Sequence, residues 1–178
     1  MDRVIRYLSR RSSRRTTADA SREAVAFYQR RVALFGLVGA GLSSAFLVFG
    51  LVENLTSGAA YIRGAPLVFH SAGAATSWAM WLLCRGGQRS RGFVRTVETV
   101  GFVGSCLAYE AMAWSIPLIG RPDMLVLFVL SLVVFARAVY VPSSPMRTLV
   151  LGLAVGLPLP LGVYAQYLRI EPGQAPRA

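Results

Sequence analysis

The stretch GSCLAYEAMAWS, residues 104–115, places Glu110 inside an apolar run. Ionisable groups within membrane-spanning segments are costly and are functional candidates by default. The only histidine, His70, lies in the preceding apolar segment. At the helical rise, Glu110 would lie about 12 Å and His70 about 6 Å from the same membrane boundary. A hydrogen bond between the two side chains is therefore within reach if the two helices are neighbours.

Two interpretations of this pair remain open. In the first, it forms a protonatable site or a ligand pocket, because a histidine and a desolvated carboxyl group can both exchange a proton near neutral pH. In the second, which we favour, Glu110 is protonated or bonded to a neighbouring helix and only fixes the packing of the bundle. The side chains that could complete a pocket are Trp78, Ser105, Tyr109 and Trp114.

A second pair of charged residues, Glu98 and Arg137, has a simpler interpretation. Each lies within about one turn of the same end of its apolar segment, where its side chain can extend to the membrane interface. The pair could meet across adjacent antiparallel helices. We therefore predict a structural ion pair rather than a catalytic or ligand site.

The elements that must position these residues are apolar segments of membrane-spanning length, which is roughly 20 helical residues. The sequence predicts an all-α, polytopic transmembrane bundle over residues 32–168. Pro158 and Pro160 predict a kink or break in its last helix. Residues 1–31 form a basic tail, partly disordered up to about Asp19 and then continuous with the first helix, and residues 169–178 form a short polar tail. The five predicted spans are 32–52, 66–84, 97–118, 124–141 and 148–168.

The basic residues predict the orientation of this bundle. All 19 are arginines, and nine of them lie in the first 31 residues. The loop RGGQRSRGFVRT carries four more, whereas the first and third loops carry one each. By the positive-inside rule the N-terminus is cytoplasmic, which predicts a multi-pass protein of the inner (plasma) membrane. The orienting arginines nearest the spans are Arg30, Arg31, Arg85, Arg89, Arg91 and Arg95.

The composition argues against several classes of protein. The chain is 54% hydrophobic with a net charge of +11, and its arginines flank apolar segments, which favours anionic lipid head groups over nucleic acid. There is one histidine and no lysine, and Cys84 and Cys106 lack metal-ligand spacing. No phosphate-binding loop or nucleophile elbow is present. We therefore expect no enzyme activity, no metal and no cofactor.

One turn of the chain carries a family resemblance. Between the fourth and fifth segments runs the pattern Arg-Ala-x-x-x-Pro-Ser-x-Pro-x-Arg-Thr-Leu, from Arg137 to Leu149. Residues 135–165 around it resemble the membrane-embedded N-terminal region of bacterial receptor-type serine/threonine protein kinases. In that family a further helix and a cytoplasmic kinase domain follow, whereas this sequence ends at Ala178. The resemblance thus implies a truncated, divergent or separately encoded sensor module that lacks the kinase.

The leading prediction is an integral membrane sensor or anchoring module of a signalling system. Its expected partners are the bilayer, a serine/threonine kinase or another membrane protein, and a second copy of the chain. The first alternative is a small transporter or channel that uses His70 and Glu110 and the broken fifth helix. The second alternative is a structural membrane protein without a ligand.

Overall fold

The computed structural model describes residues 2–56, 64–116 and 122–168, with side chains from residue 19 onward except those of residues 122, 166 and 167. The described residues form helices joined by short connections. The last two helices, α5 and α6, are separated only by Leu157. The helices are α1 Asp2–Thr56, α2 Ala65–Cys84, α3 Arg91–Trp114, α4 Pro122–Tyr140, α5 Pro145–Gly156 and α6 Pro158–Tyr167.

Within the described residues, four helical stretches are long and apolar enough to cross a membrane. They are Asp19–Thr56, Ala65–Cys84, Asp123–Tyr140 and Pro145–Ala165. Large apolar side chains on these helices are more than half exposed, such as Phe46, Phe49, Phe128 and Phe135. Such faces need an apolar surrounding, and the fold is therefore that of an all-helical, multi-pass membrane protein.

The remaining long helix, α3, has 24 residues but does not belong to this apolar group. It carries Glu98 and Glu110, which lower its mean hydropathy, and both are buried. α3 contacts each of the other five helices. It is therefore the central helix around which the four apolar stretches pack.

The backbone of the N-terminal tail is helical from Asp2 and runs without interruption into the apolar part of α1. The partial disorder that the sequence predicts up to about Asp19 stays a prediction. The first 35 residues contain neither glycine nor proline. Because a helix already nucleated by packing extends at little cost through residues that do not break it, the helix continues back into the tail.

Local signals in the sequence explain where the other helices begin and end. Ser90 caps α3, its Oγ accepting a hydrogen bond from the backbone N–H of Phe93 at 3.2 Å. α3 consequently begins six residues before the predicted span. Ser144 caps α5 in the same way. The break expected at the two prolines falls at Leu157, directly before Pro158, whose ring cannot continue the hydrogen-bond ladder.

Candidate functional site

The buried carboxylate of Glu98 joins four helices. The side chain is 0% exposed, and its Oε1 accepts a hydrogen bond from Nε of Arg137 on α4 at 2.8 Å. Nη2 of Arg137 lies 2.5 Å from the same oxygen. Oε2 accepts from the hydroxyl of Tyr28 on α1 at 2.9 Å and from Nη2 of Arg147 on α5. We call these four residues the Glu98 cluster.

The charges of this cluster do not balance, since two guanidinium groups share one carboxylate. Arg137 is only 1% exposed, and its guanidinium lies over the ring of Phe102, 5.3 Å from the centroid. Nη2 of Arg147 also donates to Oγ1 of Thr99 at 2.7 Å and to the carbonyl of Arg95 at 3.2 Å. Charge-assisted hydrogen bonds of this kind are the strong ones, so they hold α5 against α3.

The structure brings Glu98 and Arg137 together, but not where the sequence placed them. Both were expected to reach the membrane interface, whereas both are buried. The reason is that each points into the centre of the bundle, where Tyr28 and Arg147 complete the coordination of the carboxylate. Sequence reasoning missed these two residues as partners. Arg147 carried a signal, because it is the only arginine in the connection between the fourth and fifth predicted spans.

Gln29 is another residue that the sequence analysis missed. Its Nε2 donates to the carbonyls of Cys84 and Gly87 at 2.9 and 2.7 Å, and its Oε1 accepts from the backbone N–H of Arg89 at 3.0 Å. The turn that presents these groups has a positive φ of 64° at Gly87, a conformation that favours glycine. Gln29 thus fastens α1 to the connection between α2 and α3.

His70 and Tyr109 meet at Ser43 of α1. Nε2 of His70 donates to the carbonyl of Ser43 at 2.9 Å, since a carbonyl oxygen can only accept. The hydroxyl of Tyr109 donates to Oγ of the same serine. The two rings are in edge-to-face contact, with centroids 5.5 Å apart. These contacts bind α1, α2 and α3 together by polar groups inside the bundle.

Ser105 belongs to an adjoining hydroxyl network between α2 and α3. Its Oγ lies 2.7 Å from Oγ1 of Thr76 and 3.3 Å from Oγ of Ser77. Each of the three hydroxyl oxygens also lies within hydrogen-bond distance of the carbonyl oxygen of Gly73, at 2.8 Å for Thr76, 3.1 Å for Ser77 and 3.4 Å for Ser105. Hydroxyl groups of this kind join helices within membranes, and the network therefore has a packing role.

Glu110 stands apart from His70, Ser105 and Tyr109, with which the sequence predicted a shared site. It is 0% exposed, and within the described ranges neither of its carboxyl oxygens has a hydrogen-bond partner. The hydrogen bond between His70 and Glu110 that the sequence put within reach is therefore not formed. Consecutive helical residues point about 100° apart, and it is Tyr109 whose ring packs on Gly73 of α2. The sequence matched the depths of His70 and Glu110 in their two helices. It did not show that Tyr109, rather than Glu110, is the residue of α3 that contacts α2 here.

Arginines and aromatic rings are paired on α1, α2 and α3. The guanidinium of Arg85 lies 4.7 Å from the ring centroid of Trp81. Two further pairs are Arg31 with Phe27, at 5.1 Å, and Arg89 with Phe93, at 5.5 Å. Aromatic and basic residues are enriched where a membrane meets water. Arg31, Arg85 and Arg89 are among the predicted orienting residues, as are the exposed Arg30, Arg91 and Arg95.

No group of three or more histidine, cysteine, aspartate or glutamate side chains among the described residues could hold a metal ion. Cys84 and Cys106 are both free and buried. The fold and these sites define an all-helical multi-pass membrane protein with a buried charge cluster. Comparison with known proteins adds no family to this class, since no protein-family model, no curated protein and no solved structure matches the chain.

Proposed function

We propose that the chain is an integral membrane sensor or anchoring module of a signalling system, acting with a serine/threonine protein kinase. The single observation that carries this proposal is the attachment of α1 to the Glu98 cluster through Tyr28. From Tyr28, α1 continues as one helix to Asp2, a length of roughly 40 Å at the helical rise. A rearrangement of α3, α4 and α5 around Glu98 would therefore shift a long helix outside the bundle.

The membrane arrangement in this proposal has five spans, with α3 as the central one and α5 with α6 as the broken last one. α3 can cross the bilayer despite its charges because Glu98 and Glu110 face the interior of the bundle rather than lipid. The arginine-rich N-terminal helix is cytoplasmic, in line with the positive-inside rule. The resemblance of the turn around Pro142 to bacterial receptor kinases supports a kinase as the partner.

Purification from the native membrane tests the signalling role. The tagged full chain, extracted in mild detergent, is expected to retain a serine/threonine kinase activity, measured as transfer of labelled phosphate from ATP to protein. A variant that lacks residues 2–18 is expected to lose this activity while still reaching the membrane. Kinase activity no higher than that of an unrelated tagged multi-pass protein would refute the proposal.

Tyr28→Phe tests the mechanical coupling. Spin labels at Glu23→Cys on α1 and Met146→Cys on α5, in a chain with both native cysteines replaced by alanine, report the distance between these helices. The variant is expected to broaden the distance distribution, because α1 loses its hydrogen bond to the cluster. Tyr164→Phe, at an exposed tyrosine of α6, serves as the control. An unchanged distribution in Tyr28→Phe would show that α1 is not held through Tyr28.

A second candidate function, a small transporter or channel, is favoured by one observation, the buried Glu110 without a hydrogen-bond partner in the described residues. If Glu110 carries a transported proton, Glu110→Gln should abolish proton flux in proteoliposomes. We expect the same variant to melt within about 2 °C of the parent chain, because no hydrogen bond is lost. Absence of proton flux in the parent chain would exclude this candidate, and a large fall in melting temperature would assign Glu110 a packing role.

A further inference from the structure

A cavity of about 510 Å³ opens beside the Glu98 cluster, between α1 and the N-terminal parts of α3 and α5. Three arginines line it, namely Arg91 and Arg95 from α3 and Arg147 from α5. Among the lining residues that the structure describes there is no aspartate or glutamate. The cavity therefore presents basic groups from two helices to whatever occupies it.

The buried carboxylate of Glu98, next to the cavity, does not balance the positive charge of the arginines. Glu98 is the carboxylate in contact with Arg147, and it is shared with Arg137. Arg91 and Arg95 add two further positive charges to the described lining of the cavity without adding a carboxylate. Nε of Arg147 has no hydrogen-bond partner in the described part of the chain. The cavity also lies at the first turns of α3 and α5, where the helix dipole favours an anion. Charge complementarity points to an anionic occupant.

Apolar side chains also line the cavity. Val25, Phe27 and Pro142 belong to its lining together with the arginines, and Phe27 is 53% exposed. Phe27 also pairs with Arg31, an arrangement typical of the membrane interface. A free phosphate ion would leave these apolar side chains unused, whereas a phospholipid offers a phosphate group and an acyl chain on one molecule.

We propose that this cavity binds the head group of an anionic phospholipid, with its phosphate on Arg91, Arg95 and Arg147. Basic pockets between membrane helices bind anionic head groups in this way. The apolar side chains of the lining contact the first part of the acyl chain. A bound lipid would bridge α1 and α5 beside the Glu98 cluster and make the position of α1 depend on the composition of the membrane.

Native mass spectrometry and melting of the full chain in detergent test the proposal, with phosphatidylglycerol as the probe. The parent chain is expected to bind phosphatidylglycerol and melt at a higher temperature with it than with phosphatidylcholine. The double variant Arg91→Gln and Arg95→Gln is expected to bind it roughly 30-fold more weakly, a factor of about five for each interfacial arginine. Arg147 stays in place, because its loss would also disturb Glu98.

Arg89→Gln is the matched control, since it removes an arginine two residues before α3 that does not line this cavity. It is expected to bind phosphatidylglycerol like the parent chain. A weakening of about five-fold in Arg89→Gln, the same factor per arginine as in the double variant, would reduce the effect to general surface charge and overturn the proposal. Equal stabilisation by inorganic phosphate would assign the cavity to a free anion instead, and no preference for phosphatidylglycerol over phosphatidylcholine would also refute a lipid site.

Discussion

Glu98→Gln is expected to lower the apparent melting temperature of the detergent-solubilised protein by about 10 °C. The substitution keeps the shape of the side chain but leaves Arg137, which is 1% exposed, without its counter-charge. Removing one partner of a buried ion pair costs about 3–5 kcal/mol. For a chain of this size, each 1 kcal/mol corresponds to roughly 2–4 °C. The measurement is thermal unfolding followed by circular dichroism or by light scattering.

Two further variants give this prediction its controls. Glu23→Gln removes a carboxylate from an exposed position of α1 and is expected to leave the melting temperature unchanged. Combining Glu98→Leu with Arg137→Leu should recover much of the lost stability, because a buried pair replaced by apolar groups is often neutral. Arg147, with 23% of its side chain exposed, can then turn to water. A melting temperature of Glu98→Gln close to that of the parent would mean that water reaches the cluster.

The apolar helices could be predicted from the sequence because their signal is local. Runs such as that of α2 have the length and the composition that the bilayer requires, and Pro66 and Pro158 mark a beginning and a break. The beginning of α3 was missed by six residues. Its first turns carry Arg91 and Arg95, and a search for apolar runs excludes them although the Ser90 cap favours a helix there.

The candidate sites could be predicted only in part, because they depend on directions around the helix axes. Glu98 and Arg137 could be matched since both lie near the same end of neighbouring helices, and the structure joins them. The contribution of Tyr28 required knowing that α1 lies beside α3. His70 and Glu110 agreed in depth, yet His70 bonds to Ser43 and Glu110 has no hydrogen-bond partner among the described residues. Spacing along the chain gives depth but not which neighbour a side chain faces.

Patterns of small residues also do not show which neighbour a helix faces. Gly36, Ala40 and Ser44 in α1 and the pair Gly152 and Gly156 in α5 both have the four-residue spacing that allows close helix approach. Gly36 lies against the backbone of α2, whereas a Cβ atom at either glycine of α5 would meet no atom of the described residues within 4 Å. The four-residue spacing is the same in the two helices. Only the neighbouring elements decide whether it allows a close helix contact.

Gly36→Ala is expected to lower the melting temperature by about 5 °C. A Cβ atom at this position would lie 2.8 Å from the backbone nitrogen of Trp81 and 3.1 Å from the carbonyl oxygen of Ser77. These are backbone atoms of α2, so the two helices must move apart. Overpacking of this kind typically costs about 1–3 kcal/mol, and the separation also strains the contacts of Ser43 with His70 and Tyr109.

Gly41→Ala, five residues further along the same helix, is the matched control. A Cβ atom there would meet nothing within 4 Å, and alanine is about 1 kcal/mol more favourable than glycine inside a helix. This variant is therefore expected to melt at the same temperature as the parent chain or slightly higher. Equal melting temperatures for the two variants would contradict the close packing of α1 on α2. A fall in Gly36→Ala alone would confirm that α1 packs closely on α2 at Trp81, at a position along α1 between Tyr28 of the Glu98 cluster and Ser43.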